Sequence, residues 1–552
     1  MAEQGDGSVG RATRVFVHGT VHVRPDNDGW RSTSALALAG DRVLAVGSDA
    51  EMTALAASGC RITDLAGACV IPGFIDSHNH LLQTGLNAAL VDLSAARTIA
   101  DVLEALRRQA ATTAGWVVTS SRWHESQLAE QRFPTRDELD TAVPDRPVLV
   151  RRGGHNVVVN SRALALAGVD ETTPDPPGGT YVRDAVGRLM GHVIGAPAYG
   201  RITRLLPEVS EAERVEAIVR ACRLYNAAGI TAVVEPGLTA SEMQAYEVAR
   251  RAGRLTVHAT LMPRFTPGTT ASELASEVER LRTWPPVYGY AAPGDAPLLR
   301  IGPIKIVADG GVETNYLREP YAYTDDPANP RGKPQVSAEN LRVFCREAAR
   351  LGWAVGAHCV GDAAIDMVLD AFAAAAEDAD LTAGRWTLIH ATLAHPEQLQ
   401  RAAELGLCLA VQQPLIHALG AGWVKYWGRM RAAQASPLAL YAASGLVVGG
   451  GSDSPVTRYE PLIGIWSSVT RQTEHAGVLG PEQAISAATA LAWYTAGSAY
   501  VAGLEGDCGT LEPGKVADLV VLDADPLAVP PERLPAIRVQ ETILAGQTVY
   551  EG

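Results

Sequence analysis

The fold of this chain is decided by the stretch Val70-Ile71-Pro72-Gly73-Phe74-Ile75-Asp76-Ser77-His78-Asn79-His80. An apolar run of strand character ends here in two histidines separated by one residue. Side chains two positions apart on a strand point to the same side, so both imidazoles are expected to face one site. Two such histidines are half of a metal site, and the other half should lie further along the chain.

The composition indicates a large soluble protein with an acidic balance. At 552 residues the chain exceeds the size at which one hydrophobic core usually stops growing, so a large domain with insertions or appendages is expected. No apolar stretch has the length that a membrane span needs, so no membrane partner is expected. The formal charge of −14 argues against a nucleic-acid-binding surface, which needs concentrated Lys and Arg.

The N-terminal residues and the cysteines both favour the cytoplasm. The start of the chain has neither the basic segment nor the apolar segment of a secretory signal. The seven cysteines are scattered, and no two have Cys-x-x-Cys spacing, which argues against a disulfide framework or a thiolate zinc site. Reduced thiols in a cytoplasmic protein are therefore expected.

The middle of the chain alternates between short apolar β-branched runs and helical stretches, the pattern of βα units around a parallel sheet. Eight runs are strand candidates, the number that closes a (β/α)8 barrel: 70–76, 231–235, 256–262, 303–308, 354–358, 386–390, 407–412 and 446–451. Helices are predicted at 211–228, 271–283, 338–351, 363–378 and 396–405. The fold class is therefore α/β, with a TIM barrel.

Three parts are expected along the chain. Residues 1–70 and 505–552 have strand-and-turn character, and they are expected to form one small β-sandwich from both chain ends. Residues 71–504 should form the barrel. The first two barrel strands are too far apart for one βα unit, so about 85–210 is predicted to be an insertion over the barrel mouth.

Four more residues stand in or after barrel strands where barrel enzymes place their functional groups: Lys305, His358, His390 and Asp453. Each has a structural explanation. A strand-end histidine is often only a hydrogen-bonded structural residue, and Asp453 could be a helix N-cap. A lysine inside an apolar strand is costly without a partner. Together with His78 and His80 they make a set of nitrogen and oxygen ligands suited to zinc or a similar ion.

These residues resemble the amidohydrolase superfamily, whose members carry His-x-His on strand 1, Lys on strand 4, His on strands 5 and 6, and Asp on strand 8. Further motifs are similar to its YtcJ-like branch, amidohydrolase family 3: Pro72–His80, Ile304–Gly310, Ala357–Asp362, Gly451–Val456, Gly514–Leu519, Gly154–Asn156 and Asn160–Leu164. Segments 191–195, 311–317 and 389–391 depart from the branch. None of these departures removes a metal ligand, and they leave the substrate open.

The resemblance implies one or two Zn²⁺ ions. His78 and His80 would bind the first ion together with Asp453, and His358 and His390 the second. Lys305 would bridge both ions as a carboxylated side chain, because an ammonium group cannot be a ligand. The metal would activate a water, and Asp453 would act as general base and acid in hydrolysis of an amide-like C–N bond.

The expected partner is a small amide-like molecule, held by an aromatic pocket for which Trp123, His155, Tyr316 and Trp423 are candidates. Deformylation of N-substituted formamides is one activity associated with the branch. A cyclic amidase or a deaminase with the same ligands is an alternative, and a non-catalytic regulatory or binding protein is another. A homodimer is expected because it is the commonest assembly of soluble oligomers.

Overall fold

The structure is a computed structural model that describes residues 11–26, 29–120, 123, 125–152, 156–176, 179–284, 298–324 and 327–552. The chain divides into two compact units. One is formed by the chain up to Leu81 together with Cys222–Gly552, and the other by Leu82–Ala221. Among the described residues, no helix has both the length and the apolarity that crossing a membrane requires.

The N-terminal part is almost entirely β-structure. Its elements are β1 (Ala12–Val17), β2 (Thr20–Asp26), β3 (Gly29–Thr33), β4 (Ala35–Ala39), β5 (Arg42–Gly47), α1 (Asp49–Ala54), β6 (Ala56–Asp64), β7 (Cys69–Pro72) and β8 (Phe74–Asp76). Strands β4 and β5 pair antiparallel and form a hairpin across Gly40-Asp41.

The second unit has a five-stranded sheet in the order β12-β13-β11-β10-β9. Its elements are α2 (Leu81–Asn87), α3 (Ile99–Thr112), β9 (Val117–Val118), a 3-10 turn (Glu125–Gln127), α4 (Arg136–Ala142), β10 (Val148–Arg152), β11 (Asn156–Val159), α5 (Ser161–Leu166), β12 (Thr180–Arg183), β13 (Leu189–Ile194) and α6 (Ala196–Thr203). The unit has bounds close to the predicted insertion, 85–210, and buries its own apolar clusters. Its predicted place over the barrel mouth stays a prediction.

Strands and helices alternate through the first unit after α7 (Glu211–Ala227). The strands are β14 (Ile230–Leu238), β15 (His258–Pro263), β16 (Leu299–Ile301), β17 (Ile304–Val307), β18 (Val355–Cys359), β19 (Thr387–His390), β20 (Cys408–Gln412) and β21 (Val447–Gly451). The helices are α8 (Ala240–Arg251), α9 (Ala271–Thr283), α10 (Ala338–Arg350), α11 (Asp362–Ala375), α12 (Leu381–Gly384), α13 (Pro396–Glu404), α14 (Pro414–Trp427), α15 (Arg429–Gln434), α16 (Leu438–Ala443), α17 (Pro461–Thr470), α18 (Ala487–Ala492) and α19 (Ser498–Ala502), with short turns at Pro481–Gln483 and Trp493–Gly497.

The strands of the described barrel run parallel in two arcs, β8-β14-β15-β16 and β17-β18-β19-β20-β21. Strands β16 and β17 are two parts of one interrupted strand. The first part pairs with β15, and the second reaches β15 through a bridge between Arg264 and Lys305. The ring closes where the Ser77 N–H donates to the Gly450 carbonyl at 2.9 Å. The predicted α/β barrel is therefore the fold of this unit.

The prediction of a single strand at 70–76 is wrong in one respect, because this segment forms two strands that belong to two different sheets. Gly73 separates β7, which joins a terminal sheet, from β8, the first barrel strand. A Cβ atom at Gly73 would lie 2.1 Å from Oγ1 of Thr231, so only glycine allows the second barrel strand to approach this closely. The apolar run alone gives no sign of this change of sheet.

Both chain ends contribute to the sheets beside the barrel. The C-terminal part adds β22 (Leu519–Leu522), a 3-10 turn (Pro531–Ala536), β23 (Val539–Leu544) and β24 (Gln547–Glu551). A six-stranded sheet has the order β24-β23-β22-β7-β2-β3, and a four-stranded sheet has the order β5-β4-β1-β6. Residues of both sheets, among them Phe16, Leu36, Leu519 and Ile543, pack in one buried cluster.

An ion pair in a buried position joins the two chain ends. Arg14 of β1 donates from Nη1 to Oε1 of Glu541 at 2.8 Å and from Nη2 to Oε2 at 2.7 Å. The two side chains are 9% and 10% exposed, so water competes little with the pair. Glu541 also accepts a hydrogen bond from Thr548 of β24. Loss of one partner would leave a buried charge without compensation.

We expect the Glu541→Ala substitution to lower the free energy of unfolding by about 3–5 kcal/mol, because it strands the Arg14 guanidinium in a buried position. The urea midpoint measures this loss. Asp370→Ala is the matched control, since its partner Arg401 is 39% exposed and Asp370 is 70% exposed; an exposed pair contributes about 0–1 kcal/mol. Glu541→Gln provides a milder variant. Equal midpoints for the Glu541 and Asp370 variants would contradict the prediction.

Candidate metal centre

The six predicted ligand residues lie in or directly after barrel strands and meet at the carboxyl-terminal edge of the barrel. Lys305 is in β17, His358 in β18, and His390 is the last residue of β19. The three others are His78, His80 and Asp453, which follow β8 and β21. The His-x-His pair therefore lies just beyond its strand rather than within it, although both rings still face the same carboxylate.

Asp453 is the point on which the first histidines converge. Its Oδ1 lies 3.2 Å from Nε2 of His80 and 3.5 Å from Nε2 of His78. One ligand atom from each of these three residues lies within 4.8 Å of the others, a spacing that could hold a metal ion. The His390 ring connects this group to the fourth histidine, with centroids 5.0 Å from His78 and 4.6 Å from His358.

The two remaining histidines each have one ring nitrogen engaged away from the centre. His390 Nδ1 lies 2.5 Å from Oε1 of Gln412, and His358 Nε2 lies 3.1 Å from the Gly310 carbonyl. Because a carbonyl oxygen only accepts, both contacts assign the proton to the engaged nitrogen. The opposite nitrogen, Nε2 of His390 and Nδ1 of His358, then keeps the lone pair that a metal ligand needs.

Burial sets the charge state of the site. It lowers the pKa of His390 to about 4 and, with the charge of Lys305, holds the pKa of His78 well below its ordinary value. Burial also holds the pKa of His358 well below its ordinary value and lowers that of Lys305 to about 7. These three imidazoles are therefore neutral at pH 7, the form that binds a metal ion.

His80 and Asp453 shift each other's pKa in opposite directions. Burial is the largest single effect on His80 and lowers its pKa, but the hydrogen bond to Asp453 and the charges of Asp453 and Glu235 together outweigh burial, and the pKa is raised. Burial likewise raises the pKa of Asp453, yet the hydrogen bond from His80 and the neighbouring His390 and Lys305 hold it below its usual range. Asp453 is thus a carboxylate at neutral pH, available both to a cation and to a proton.

Backbone strain is concentrated at the same strand ends. His390, Ala391 and Asp453 have φ angles of 71°, 46° and 57°, in the left-handed region that residues with a side chain rarely adopt. Each such residue costs on the order of 1–3 kcal/mol and persists only where its surroundings determine it. Strain of this kind is common at functional sites, and here it falls on two of the six predicted ligands.

Three buried carboxylates support the site without belonging to the predicted ligand set. Asp76 accepts hydrogen bonds from the N–H groups of His78 and Ser452, at 3.1 and 3.0 Å. Asp309 accepts from the N–H groups of the loops after β17 and β18. Glu235 of β14 accepts from the N–H of Leu81 at the start of α2. The sequence contains a signal for Asp76 and Asp309, since both end apolar runs, but none for their partners.

The predicted contact of four residues with a substrate stays a prediction, and the structure describes the surroundings of three of them. Trp423 is 1% exposed and stacks on Trp427 in the barrel's outer core, with ring centroids 5.7 Å apart. Trp123 is 6% exposed in the core of the second unit. Both indoles therefore act as packing residues. Tyr316 is half-buried in the loop after β17, and His155 lies outside the described residues.

A cavity of about 920 Å³ lies elsewhere, and none of the six ligand residues lines it. Its lining includes Asp362, Arg318 and His395. His395 Nε2 lies 3.2 Å from Oδ2 of Asp362, and this contact raises the pKa of His395. This cavity is thus separate from the six residues of the candidate metal centre.

The sequence belongs to the amidohydrolase family, whose model matches residues 61–550. The protein is a hydrolase of this family. The chain is 32% identical over 503 residues to a putative amidohydrolase YtcJ of Bacillus subtilis, covering 88% of this chain and 90% of the relative. It is also 32% identical over 537 residues to an N-substituted formamide deformylase of Arthrobacter pascens, covering 94% and 95%.

A solved structure from Pyrococcus horikoshii, described as an uncharacterised metal-dependent hydrolase, superposes on the chain with a TM-score of 0.73. The sequences are 26% identical, and the match covers 94% of this chain and 99% of the other. The side chains found here fit a metal ion. Imidazole nitrogens of His78 and His80 converge on one carboxylate oxygen of Asp453 at the edge of the barrel, and His358 and His390 each keep one ring nitrogen that is not engaged by Gly310 or Gln412, a donor set that suits a divalent metal ion.

We expect Gln412→Leu to weaken metal binding by about 10–100-fold, because it removes the acceptor that fixes the His390 ring and its tautomer. The Gln412 amide is itself held, since its Nε2 donates to the Ala410 carbonyl at 2.9 Å. Competition with a chelator measures the affinity. Gln412→Glu keeps an acceptor and should retain binding.

The matched control is Gln398→Leu. Gln398 is equally buried at 2% exposure, but it contacts Asp362 and Asp366 rather than a ligand residue. This variant should lose stability and keep the affinity for metal. Unchanged affinity in Gln412→Leu would show that the hydrogen bond does not position His390.

The His395–Asp362 contact predicts a pH-dependent contribution to stability. Because the folded pKa of His395 is raised, its contribution is present below the unfolded value of about 6.5 and is lost as pH rises through the folded value. The difference in melting temperature between the wild type and His395→Gln should therefore be larger at pH 5.5 than at pH 8. In an Asp362→Asn background this pH dependence should disappear. If the difference in melting temperature between the wild type and His395→Gln were the same at both pH values, the prediction would be wrong.

Proposed function

We propose that the protein is a metal-dependent hydrolase that cleaves the C–N bond of a small N-acyl amine, with N-substituted formamides as the first class to test. The observation that carries the proposal is the convergence of His78 and His80 on Oδ1 of Asp453, beside the neutral His358 and His390. The formamide class is suggested by the Arthrobacter relative, which is named for that activity.

In this proposal His78, His80 and Asp453 would hold one Zn²⁺ ion, and His358 and His390 would hold a second. When bound, the metal lowers the pKa of a water molecule and polarises the substrate carbonyl. Zinc suits this set because its donors are imidazole nitrogens and carboxylate oxygens. The proposed donor atoms of His358 and His390 are those that the hydrogen bonds to Gly310 and Gln412 leave available.

Lys305 is proposed to act as a carboxylated side chain. Lys305 is only 4% exposed, and burial lowers its pKa to about 7. A large fraction of the side chain is therefore an uncharged amine at neutral pH. An uncharged amine can add to carbon dioxide, forming an N–C bond and releasing a proton. The resulting carbamate would offer oxygen donors to a metal ion, whereas an ammonium group offers none.

Asp453 is proposed to move the proton. The oxygen of water attacks the acyl carbon while the Asp453 carboxylate accepts its proton. The C–N bond then breaks, and Asp453 returns the proton to the leaving nitrogen. The products are a carboxylic acid, formate in the case of a formamide, and an amine. The lowered pKa of Asp453 favours the carboxylate form that begins this cycle.

We expect the double substitution His78→Ala and His80→Ala to abolish both bound metal and hydrolysis, since it removes two of the three groups that face one ion. Elemental analysis of the purified protein measures the metal, and release of amine from a panel of formamides, longer acyl amides and cyclic amides measures hydrolysis. His417→Ala is the control, because this half-buried histidine contacts the Gln472 carbonyl and Trp466 instead.

The products decide among the enzyme classes. A carboxylate with an amine supports the proposal, a ring-opened acid indicates a cyclic amidase, and ammonia indicates a deaminase. Metal and activity that persist in the double variant would sink the assignment of the site. A wild type without bound metal would favour a binding protein in place of an enzyme.

A further inference from the structure

Arg264 lies directly after β15, beside the strand that carries Lys305. Its N–H donates to the Leu238 carbonyl at 3.0 Å, and the following N–H, of Phe265, donates to the Lys305 carbonyl at 3.0 Å. Arg264 and Lys305 are paired in an isolated parallel bridge. The arginine is therefore tied by backbone hydrogen bonds to two neighbouring barrel strands at their carboxyl-terminal edge.

The alternation of side chains places Arg264 on the inner face of the barrel. Residues paired across neighbouring strands point to the same face, so Arg264 shares the face of Lys305. Phe265 and Ile306 belong to the apolar core outside the strands, between them and the helices. Met262, two residues before Arg264, packs in a separate cluster with Ile75, Ala232, Val234, Ile389 and Ala410, which come from other barrel strands. Arg264 is thus the next inward position after Met262, towards the mouth.

Arg264 is an exposed residue, and within the described part of the chain its guanidinium has neither an ion pair nor a hydrogen bond. Nearby arginines differ in this respect. Arg280 donates to Glu277 at 2.6 Å and lies over the Phe265 ring, and Arg318 binds Asp366 through two nitrogens at 2.7 Å. A cation on the inner face therefore remains available to a molecule that enters the barrel mouth.

We infer that Arg264 is a specificity residue that binds a carboxylate of the substrate, so that the preferred substrates are acidic N-acyl amines rather than neutral ones. This inference rests on the proposed function. A guanidinium matches a carboxylate through two parallel N–H···O bonds, a geometry that a neutral amide cannot reproduce. Its bridge to Lys305 sets the carboxylate beside the centre at which the C–N bond would be cleaved.

Two matched pairs of amides test where the carboxylate lies. N-formylphenylalanine and N-formylphenethylamine differ by a carboxylate on the amine part. N-phenethylsuccinamic acid and N-phenethylbutyramide differ by a carboxylate on the acyl part. The ratio of kcat/KM within each pair reports recognition of the charge and is insensitive to the overall activity of a preparation.

We expect the wild type to prefer the acid in at least one pair. Arg264→Gln should lower kcat/KM for that acid by about 10–100-fold, the usual effect of losing a charge-assisted hydrogen bond, and leave its neutral partner within about threefold. Arg264→Lys should restore part of the preference. Metal content should equal that of the wild type. The control is Arg458→Gln. Arg458 also follows a barrel strand, β21, but its guanidinium is already paired with Glu460 at 2.8 Å.

The result that overturns the inference is a wild type that prefers the neutral member of both pairs, or an equal loss on acid and neutral amides in Arg264→Gln. If no amide is hydrolysed, the proposed function fails, and calorimetric titration of the metal-loaded protein with both pairs still decides about Arg264. Tighter binding of the acid than of its neutral partner in at least one pair, lost in Arg264→Gln, would support the site. Equal binding within both pairs would exclude it.

Discussion

The hydrogen bonds of one buried carboxylate hold the first and last strands of the barrel together. Asp76, at the end of β8, accepts from the N–H of His78 and from the N–H and hydroxyl of Ser452, which follows β21. Burial raises the pKa of Asp76 to about 7, so these three donors have to stabilise its charge. They also fix the backbone on either side of the candidate centre, because His78 and Asp453 are adjacent to the atoms that Asp76 binds. The same hydrogen bonds of Asp76 therefore close the barrel and position the metal-ligand residues His78 and Asp453.

The remaining ligands depend on burial, which fixes their protonation. Burial keeps His358 and His390 neutral, and each ring is oriented by one oxygen acceptor. The same burial brings Lys305 to a pKa of about 7. A site in contact with water would let these groups keep their ordinary pKa values and their rotational freedom. The barrel thus supplies neutral nitrogen donors and an ionised Asp453 at the same pH. This combination depends on the burial of the side chains and on their hydrogen bonds, in addition to the residue types and their positions at strand ends.

Much of this arrangement could be predicted from the sequence, and the exceptions have physical reasons. Barrel strands are recognisable in the sequence as apolar runs. Burying a charged residue inside or directly after such a run costs free energy, so residues such as Lys305 and Asp453 indicate a functional site. Gly73 could not be read as a change of sheet, because both strands around it are equally apolar. Gln412 and Arg264 are ordinary polar residues at strand ends, and only pairing across strands identifies their neighbours. Trp423 is buried beside Trp427, and its contact with a substrate stays a prediction, because an aromatic residue near a site has the same sequence signal as one in a core. The homodimer and the cytoplasmic location stay predictions.

The order of the strands in the six-stranded sheet has a consequence for the synthesis of the protein. Strand β7 lies between β2 and β22, so one of its edges remains unpaired until β22 has left the ribosome. At ordinary rates of translation this interval lasts on the order of tens of seconds. The exposed edge is apolar, and such edges pair readily with other chains. The nascent chain should therefore need protection by chaperones during elongation, and a premature stop near the C-terminus would release a protein with an open sheet rather than a shortened tail.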